Sequence, residues 1–168
     1  YNSIGVLQLS NDDRATGVTD SYIYVVPTGG TFFFSAEEFG NDATGTYTLA
    51  VATDALDSTA SLASIDPDTS LEGNLAWQGD SDWIRITLLA GTTYVFDVLG
   101  SSADDLPGQL SLEDPYLFLR NGFGTILTRD DDSGIGLNAR IYFTPSATGT
   151  YFLDIQESGL DAQGTYSL

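Results

Sequence analysis

Hydrophobic and polar residues alternate with a period of two along much of the chain. In DWIRITL, residues 82–88, Ile84, Ile86 and Leu88 occupy every second position, which predicts a strand with one buried face. Further short apolar runs are bounded by Gly, Asp, Asn or Pro, at 92–99, 115–121, 125–129, 139–145, 149–155 and 164–168. No stretch has the period of a convincing amphipathic helix. The pattern predicts an all-β protein that folds as an antiparallel, jelly-roll-like β-sandwich.

The chain also repeats itself. Residues 1–49 align without a gap to residues 120–168 at a constant offset of 119, and 16 of the 49 positions are identical. The match is best at the ends, where ATGTYTL at 43–49 corresponds to AQGTYSL at 162–168. The chain therefore contains one full unit and the second half of a preceding one.

The repeat sets the predicted domain boundaries. Residues 71–168 are predicted to form a full sandwich, and residues 1–49 an N-terminal partial copy of the same fold. The segment AVATDALDSTASLASIDPDTS, residues 50–70, is rich in Ala, Ser, Thr and Asp, and this composition predicts a linker.

The half unit has a predicted consequence for assembly. Alone, its strands YIYVV (22–26) and TFFFS (31–35) would expose apolar faces and unpaired edges. We expect strands of a neighbouring molecule to complete it, which predicts self-association by strand complementation. Packing of residues 1–49 on the full unit, or membership of a longer natural array, are the alternatives.

The charge and composition of the chain exclude several classes of binding partner. The 168 residues carry a net charge of -19 from 24 acidic and 5 basic residues, and all five basic residues are Arg. Such a surface repels nucleic acid and anionic lipid and suits cations. No apolar run approaches the length of a membrane span, so no membrane insertion is expected. No N-terminal signal segment is visible, so we expect a mature chain or an internal part of a larger protein.

The chain lacks most of the residue types that catalyse reactions in enzymes. Cys, His and Met are absent, which excludes disulfides, thiol and imidazole catalysis and soft-metal sites. A Ser nucleophile would lack a His or Lys base, and the acidic residues cluster in turns rather than as a glycosidase pair. We therefore predict no enzyme activity. Trp83 is interpreted as a residue that covers the sandwich, with sugar stacking as the alternative.

The acidic residues predict a calcium site. Calcium takes six to eight oxygen ligands, which Asp side chains supply, and neighbouring carboxylates repel each other without a cation. Solvated turn formers are the alternative for single Asp residues. No EF-hand loop is present, because DDDSGIGLNARI lacks the final Glu. The candidate ligands lie at predicted strand ends and are Asp130, Asp131 and Asp132, helped by Asp80, Asp82 or Asp114, with a weaker copy at Asn11, Asp12 and Asp13.

Four segments carry a family resemblance. They are GDSDWIRITLLAGTTYVFDV (79–98), DPYLFLRNGFGTILTRDDDSG (114–134), YFTPSATGTYFLDI (142–155) and GTYSL (164–168). In this order and spacing they resemble the bacterial pre-peptidase C-terminal domain. The resemblance implies a jelly-roll-like sandwich, secretion or display on the cell surface, and a non-catalytic role beside peptidases or in large surface proteins. Related collagen-binding modules bind calcium and adhere to matrix.

Two functions are consistent with these observations. The first is an extracellular, calcium-binding structural repeat that self-associates into a filament or surface array. The alternative is an accessory or adhesion module that recognises a protein or glycan beside a secreted enzyme.

Overall fold

The computed structural model describes residues 31–37, 44–47, 49, 54–100 and 111–168. The chain divides into two compact units, Tyr1–Ala50 and Val51–Leu168. In the first unit the described residues contain no strand, so the strand predicted at 31–35 is not formed there. The strand predicted at 22–26 lies outside the described residues.

The described part of the second unit is all-β. Every pairing between its strands is antiparallel. Within the described residues, no helix has the length and apolar character needed to cross a membrane. The strands are β1 (Glu72–Leu75), β2 (Asp82–Leu88), β3 (Tyr94–Val98), β4 (Pro115–Asn121), β5 (Ile126–Asp130), β6 (Ala139–Phe143), β7 (Gly149–Glu157) and β8 (Gly164–Ser167).

The strands form two facing layers. One layer is a four-stranded sheet in the order β2-β7-β4-β5. The other contains the pairs β1-β8 and β3-β6, and backbone hydrogen bonds of 2.8 Å in both directions between Leu99 and Ser167 join β3 to β8. The inward residues of both layers share one core, so the predicted antiparallel sandwich is confirmed. Its largest fully buried apolar side chains are Leu75, Ile84, Leu88, Val98, Leu112, Leu117, Leu119, Leu153, Ile155 and Tyr166.

The strand β1 was not predicted, because its sequence EGNL contains Gly and Asn, which are poor strand formers. It pairs with β8, and Gly73 lies opposite Tyr166. A Cβ atom at position 73 would overlap the Tyr166 ring. Glycine is therefore needed there for the close approach of ring and backbone, and tertiary packing outweighs the low strand propensity.

The assignment of residues 50–70 as a linker is corrected for residues 54–65, which pack on the sandwich. The Arg85 N–H donates to the Ala63 carbonyl at 2.8 Å, and the Ile65 N–H donates to the Arg85 carbonyl at 3.0 Å. Ala63 and Ile65 also pack against the core. The physical reason is that the edge of β2 presents unpaired backbone groups, and this segment covers them.

The missing strand at 31–35 has a related explanation. Its counterpart in the second unit, β7, is paired on both edges, by β2 and by β4. By the repeat offset, residues 1–49 contain a copy of β7 but no copy of β2 or β4. An isolated strand is only marginally stable without such neighbours.

Candidate functional site

Three carboxylates converge beside the start of β2, and we call them the buried triad: Asp54, Asp80 and Asp82. One oxygen from each lies within 4.8 Å of the others. Asp80 occupies the β1–β2 connection, Asp82 is the first residue of β2, and Asp54 begins the segment along the β2 edge. The Asp82 side chain is only 2% exposed, which is unusual for a carboxylate unless it is paired or bound to a metal.

Hydrogen bonds fix the orientation of the buried triad. The Tyr166 hydroxyl donates to Asp82 Oδ2 at 2.6 Å, and the Ser81 N–H donates to Asp80 Oδ1 at 2.9 Å. The remaining oxygens Asp82 Oδ1 and Asp54 Oδ2 are buried and have no hydrogen-bond partner. A buried acceptor without a partner costs free energy, so these two oxygens require a proton or a cation.

The pKa values of the buried triad reflect this environment. Burial is the largest cause that raises the pKa of Asp82, to about 7; the hydrogen bond from Tyr166 lowers this pKa, and the charges of Asp54 and Asp80 raise it further. Burial, followed by the charge of Asp80, raises the pKa of Asp54 to about 6. The pKa of Asp80 is also raised, mainly by burial. Without a cation, the group therefore tends to hold a proton near neutral pH.

A second group of carboxylates, the open triad, contains Asp114, Asp131 and Asp132. One oxygen from each lies within 4.8 Å of the others. Asp114 directly precedes β4, and the other two residues directly follow β5, which pairs with β4. Asp132 is exposed, so this group is open to solvent on one side.

Ser158 holds the open triad in place. Its N–H donates to the Asp114 carbonyl at 2.9 Å, and its hydroxyl donates to Asp131 Oδ2 at 3.2 Å. Asp114 Oδ1 and Asp131 Oδ1 are buried and have no hydrogen-bond partner. Burial raises the pKa of Asp114, and the charges of Asp131, Asp132 and Glu157 raise it further.

Asp130 does not join the open triad. Its Oδ2 accepts hydrogen bonds from the backbone N–H groups of Ser133, at 3.0 Å, and Arg140, at 2.8 Å. Burial acts to raise the pKa of Asp130, but the hydrogen bonds from Ser133 and Arg140 outweigh it and lower the pKa. Asp130 thus closes the loop between β5 and β6 and has its charge compensated by backbone groups.

The strand register places both triads at one end of the four-stranded sheet. Asp82 lies opposite Ile155 near the end of β7, and Pro115, which follows Asp114, lies opposite Glu157. The predicted set therefore separates into two groups. Asp80 and Asp82 join Asp54, whereas Asp114 joins Asp131 and Asp132.

The donor sets fit a hard cation. Calcium–oxygen distances of about 2.3–2.6 Å allow ligand oxygens on opposite sides of one ion to lie about 5 Å apart. The spread of 4.8 Å in each triad is within that range. Only oxygen ligands are present, which suits calcium better than zinc or copper.

The sequence of the second unit matches the family described as bacterial pre-peptidase C-terminal domain over residues 80–157. Residues 80–157 form a pre-peptidase C-terminal domain. Such domains are non-catalytic accessory β-sandwich modules that are found with secreted peptidases. The predicted family is thereby confirmed.

Two solved structures resemble the chain. The pre-peptidase C-terminal domain of collagenase from Bacillus anthracis is 17% identical, with a TM-score of 0.47, and the match covers 62% of this chain and 90% of that one. Aeromonas hydrophila PliG, a periplasmic inhibitor of g-type lysozyme, is 15% identical, with a TM-score of 0.36, and the match covers 62% and 91%. No curated protein matches the chain.

Two contributors to the acidic groups were not predicted from the sequence. Asp54 lies in the Ala- and Ser-rich segment, and Ser158 lies after β7, so neither is near the other members in sequence. No local motif marks either residue, because only the fold brings these loops together. Asn11, Asp12 and Asp13 lie outside the described residues.

Three strand residues, Trp83, Arg140 and Arg85, differ in the contacts they make. Trp83 is half-buried on the outer surface of the four-stranded sheet, 5.8 Å from Phe152 between ring centroids, which agrees with a covering role. Arg140 forms an ion pair with Asp97. Arg85 forms no ion pair with a described residue.

Proposed function

We propose that this protein is a non-catalytic, extracellular β-sandwich repeat that binds calcium at two acidic groups and has a structural role. Four buried carboxylate oxygens without hydrogen-bond partners, two in each triad, carry the proposal. A cation at each triad would compensate these oxygens and the mutual repulsion of three carboxylates. In each triad the cation would connect separate segments of chain. The known association of pre-peptidase C-terminal domains with secreted peptidases supports an extracellular location.

The two triads are proposed to differ in function. In the buried triad, calcium would be held by Asp54, Asp80 and Asp82 and would fasten the segment 54–65 to the start of β2. In the open triad, calcium would join the start of β4 to the end of β5. By the repeat offset, Asp12 and Asp13 correspond to Asp131 and Asp132, which supports a further, weaker site in the first unit.

Calorimetric titration of the metal-free chain with calcium tests the proposal. Asp82→Asn removes one charge from the buried triad, and Asp132→Asn removes one from the open triad. We expect each substitution to abolish or weaken, by at least about tenfold, one binding event and leave the other unchanged. Asp97→Asn is the matched control, because Asp97 pairs with Arg140 and belongs to neither triad. Absence of calcium binding at millimolar concentration would refute the proposal.

We also propose that residues 1–49 associate with a second molecule by strand complementation. The repeat offset supports this, because these residues contain copies of β5 to β8 but not of β1 to β4. In sedimentation experiments, the full chain is expected to form concentration-dependent oligomers, and a variant lacking residues 1–49 is expected to remain monomeric. A full chain that stays monomeric, with residues 1–49 protected from protease, would contradict the proposal and indicate packing within one molecule.

A further inference from the structure

The outer surface of the four-stranded sheet carries two rows of large side chains, which we call the arginine face. Residues paired directly across antiparallel strands point to the same side of a sheet. The first row is Arg85, Phe152, Arg120 and Ile126, on β2, β7, β4 and β5 respectively. The second row is Trp83, Asp154, Phe118 and Arg129 on the same four strands.

The charge of the arginine face is opposite to that of the chain. Three of the five basic residues, Arg85, Arg120 and Arg129, lie in the two rows. The single acidic residue in the rows, Asp154, is fully buried and is ion-paired with Arg120 at 2.7 Å. The rows therefore carry more positive than negative charge, although the net charge of the chain is -19.

Aromatic rings hold two of the guanidinium groups. The guanidinium carbon of Arg120 lies 4.4 Å from the Trp83 ring centroid, and Arg120 also donates to the Gly124 carbonyl at 2.9 Å. The guanidinium carbon of Arg129 lies 5.9 Å from the Tyr116 ring centroid. Arg120 thus makes internal contacts, whereas Arg129 and Arg85 are exposed residues.

We propose that the arginine face binds an acidic polypeptide segment in extended conformation. Guanidinium groups bind carboxylates through charge-assisted, often bidentate hydrogen bonds, and the Trp83 and Tyr116 rings provide apolar contact area beside them. Arg85 and Arg129 lie on strands three spacings apart, about 14 Å, and in rows two residues apart, about 7 Å, so about 16 Å separates the two positions. Acidic residues at positions i and i+4 of an extended segment are about 14 Å apart and lie on the same side of it, which the long arginine side chains can bridge.

The two exposed arginines are not equivalent. Asp66 lines the same shallow pocket as Arg85, at the β2 edge, and lowers the local potential there. Arg129, on the opposite edge strand, lies over the Tyr116 ring instead. We therefore expect Arg129 to contribute more to binding than Arg85. The proposal does not rest on calcium, because no member of either triad lies in the two rows.

Fluorescence anisotropy with a labelled octaglutamate peptide tests the proposal on the full chain. We expect saturable binding that weakens with added salt, and no binding of an octaglutamine peptide. Arg129→Gln is expected to weaken binding by about tenfold, and Arg85→Gln by about threefold. Arg140→Gln is the matched control, because Arg140 lies on the other layer, and it should leave the affinity unchanged.

Several outcomes would overturn the proposal. One is an absence of octaglutamate binding at low salt, and another is an equal loss of affinity in the Arg140 and Arg129 variants. A third is Arg129-dependent self-association without peptide binding, which would show that the face contacts a second copy of the chain. Binding that persists in excess chelator would support the proposal even if the calcium sites were refuted.

Discussion

Calcium at one hundred times its Kd is expected to raise the melting temperature of the second unit by about 10 °C for each occupied triad. A ligand that binds only the folded state at this concentration stabilises it by about 2.7 kcal/mol. For a domain of this size, 1 kcal/mol corresponds to a shift of several degrees. Without the ion, the three carboxylates of each triad repel each other, and two of their buried oxygens have no hydrogen-bond partner. Coordination to calcium removes both costs, and this is the source of the stabilisation.

Differential scanning calorimetry in excess chelator and in millimolar calcium measures this shift. A chelated sample at matched ionic strength is the control, because any salt screens the surface repulsion of a chain with a net charge of -19. Asp82→Asn and Asp132→Asn should each remove part of the calcium-dependent shift. Superimposed melts with and without calcium would show that neither triad binds the ion.

The same calorimetric experiment should show two opposite effects of pH. Rising pH should lower the stability of the protein in chelator but increase the stabilisation that calcium provides. The pKa of Asp54 is raised to about 6 and that of Asp82 to about 7, so the folded state binds more protons than the unfolded state between about pH 4 and 7. In chelator, stability should therefore fall as pH rises through this range. Protons compete with calcium, so the stabilisation by calcium should shrink as pH falls from 7.5 to 5. A chelated protein whose stability rises between pH 5 and 7 would contradict the inferred environment of Asp82.

Seven of the eight described strands, β2 to β8, were predictable because each carries its own signal. Alternation in β2 and short apolar runs between turn residues indicate strands without reference to the rest of the chain. The strand β1 carries no such signal, since its pairing depends on β8 and on the space that Gly73 leaves for the Tyr166 ring. Local pattern therefore predicts elements that bury a face, and fails for elements held by one long-range contact.

The acidic residues were identifiable in sequence, but their grouping was not. Asp80 and Asp130 both lie at strand ends, and nothing local states which loops meet. The register of β2 against β7, and of β4 against β5, decides this and separates the candidates into two triads. Asp54 could not be predicted as a ligand, because it reaches Asp80 and Asp82 only through the packing of its segment along the β2 edge.

The ion pair between Arg120 and Asp154 is a further feature beyond the reach of sequence patterns, and its loss should have a large effect. We expect Arg120→Met to lower the free energy of unfolding by about 3–5 kcal/mol, because it leaves a buried carboxylate without its positive partner. Asp154 is 0% exposed, and after the substitution it would keep only the hydrogen bonds from Ser81, at 2.7 Å, and Gln156, at 3.0 and 3.2 Å. The contact of Arg120 with Trp83 would also lose its cation–π component.

Urea denaturation at constant calcium concentration measures this loss, and two further variants identify its cause. Arg120→Met combined with Asp154→Leu should recover most of the lost stability, because the cost comes from the unpaired charge and an apolar pair of similar volume can replace a buried ion pair. Arg140→Met breaks the partly exposed pair with Asp97 on the other layer, and it should cost much less because water solvates the carboxylate that remains. Two outcomes would contradict this explanation. They are an equal loss of stability in Arg120→Met and Arg140→Met, and a double variant that is no more stable than Arg120→Met. Either would show that Arg120 does not stabilise the fold by compensating the buried charge of Asp154.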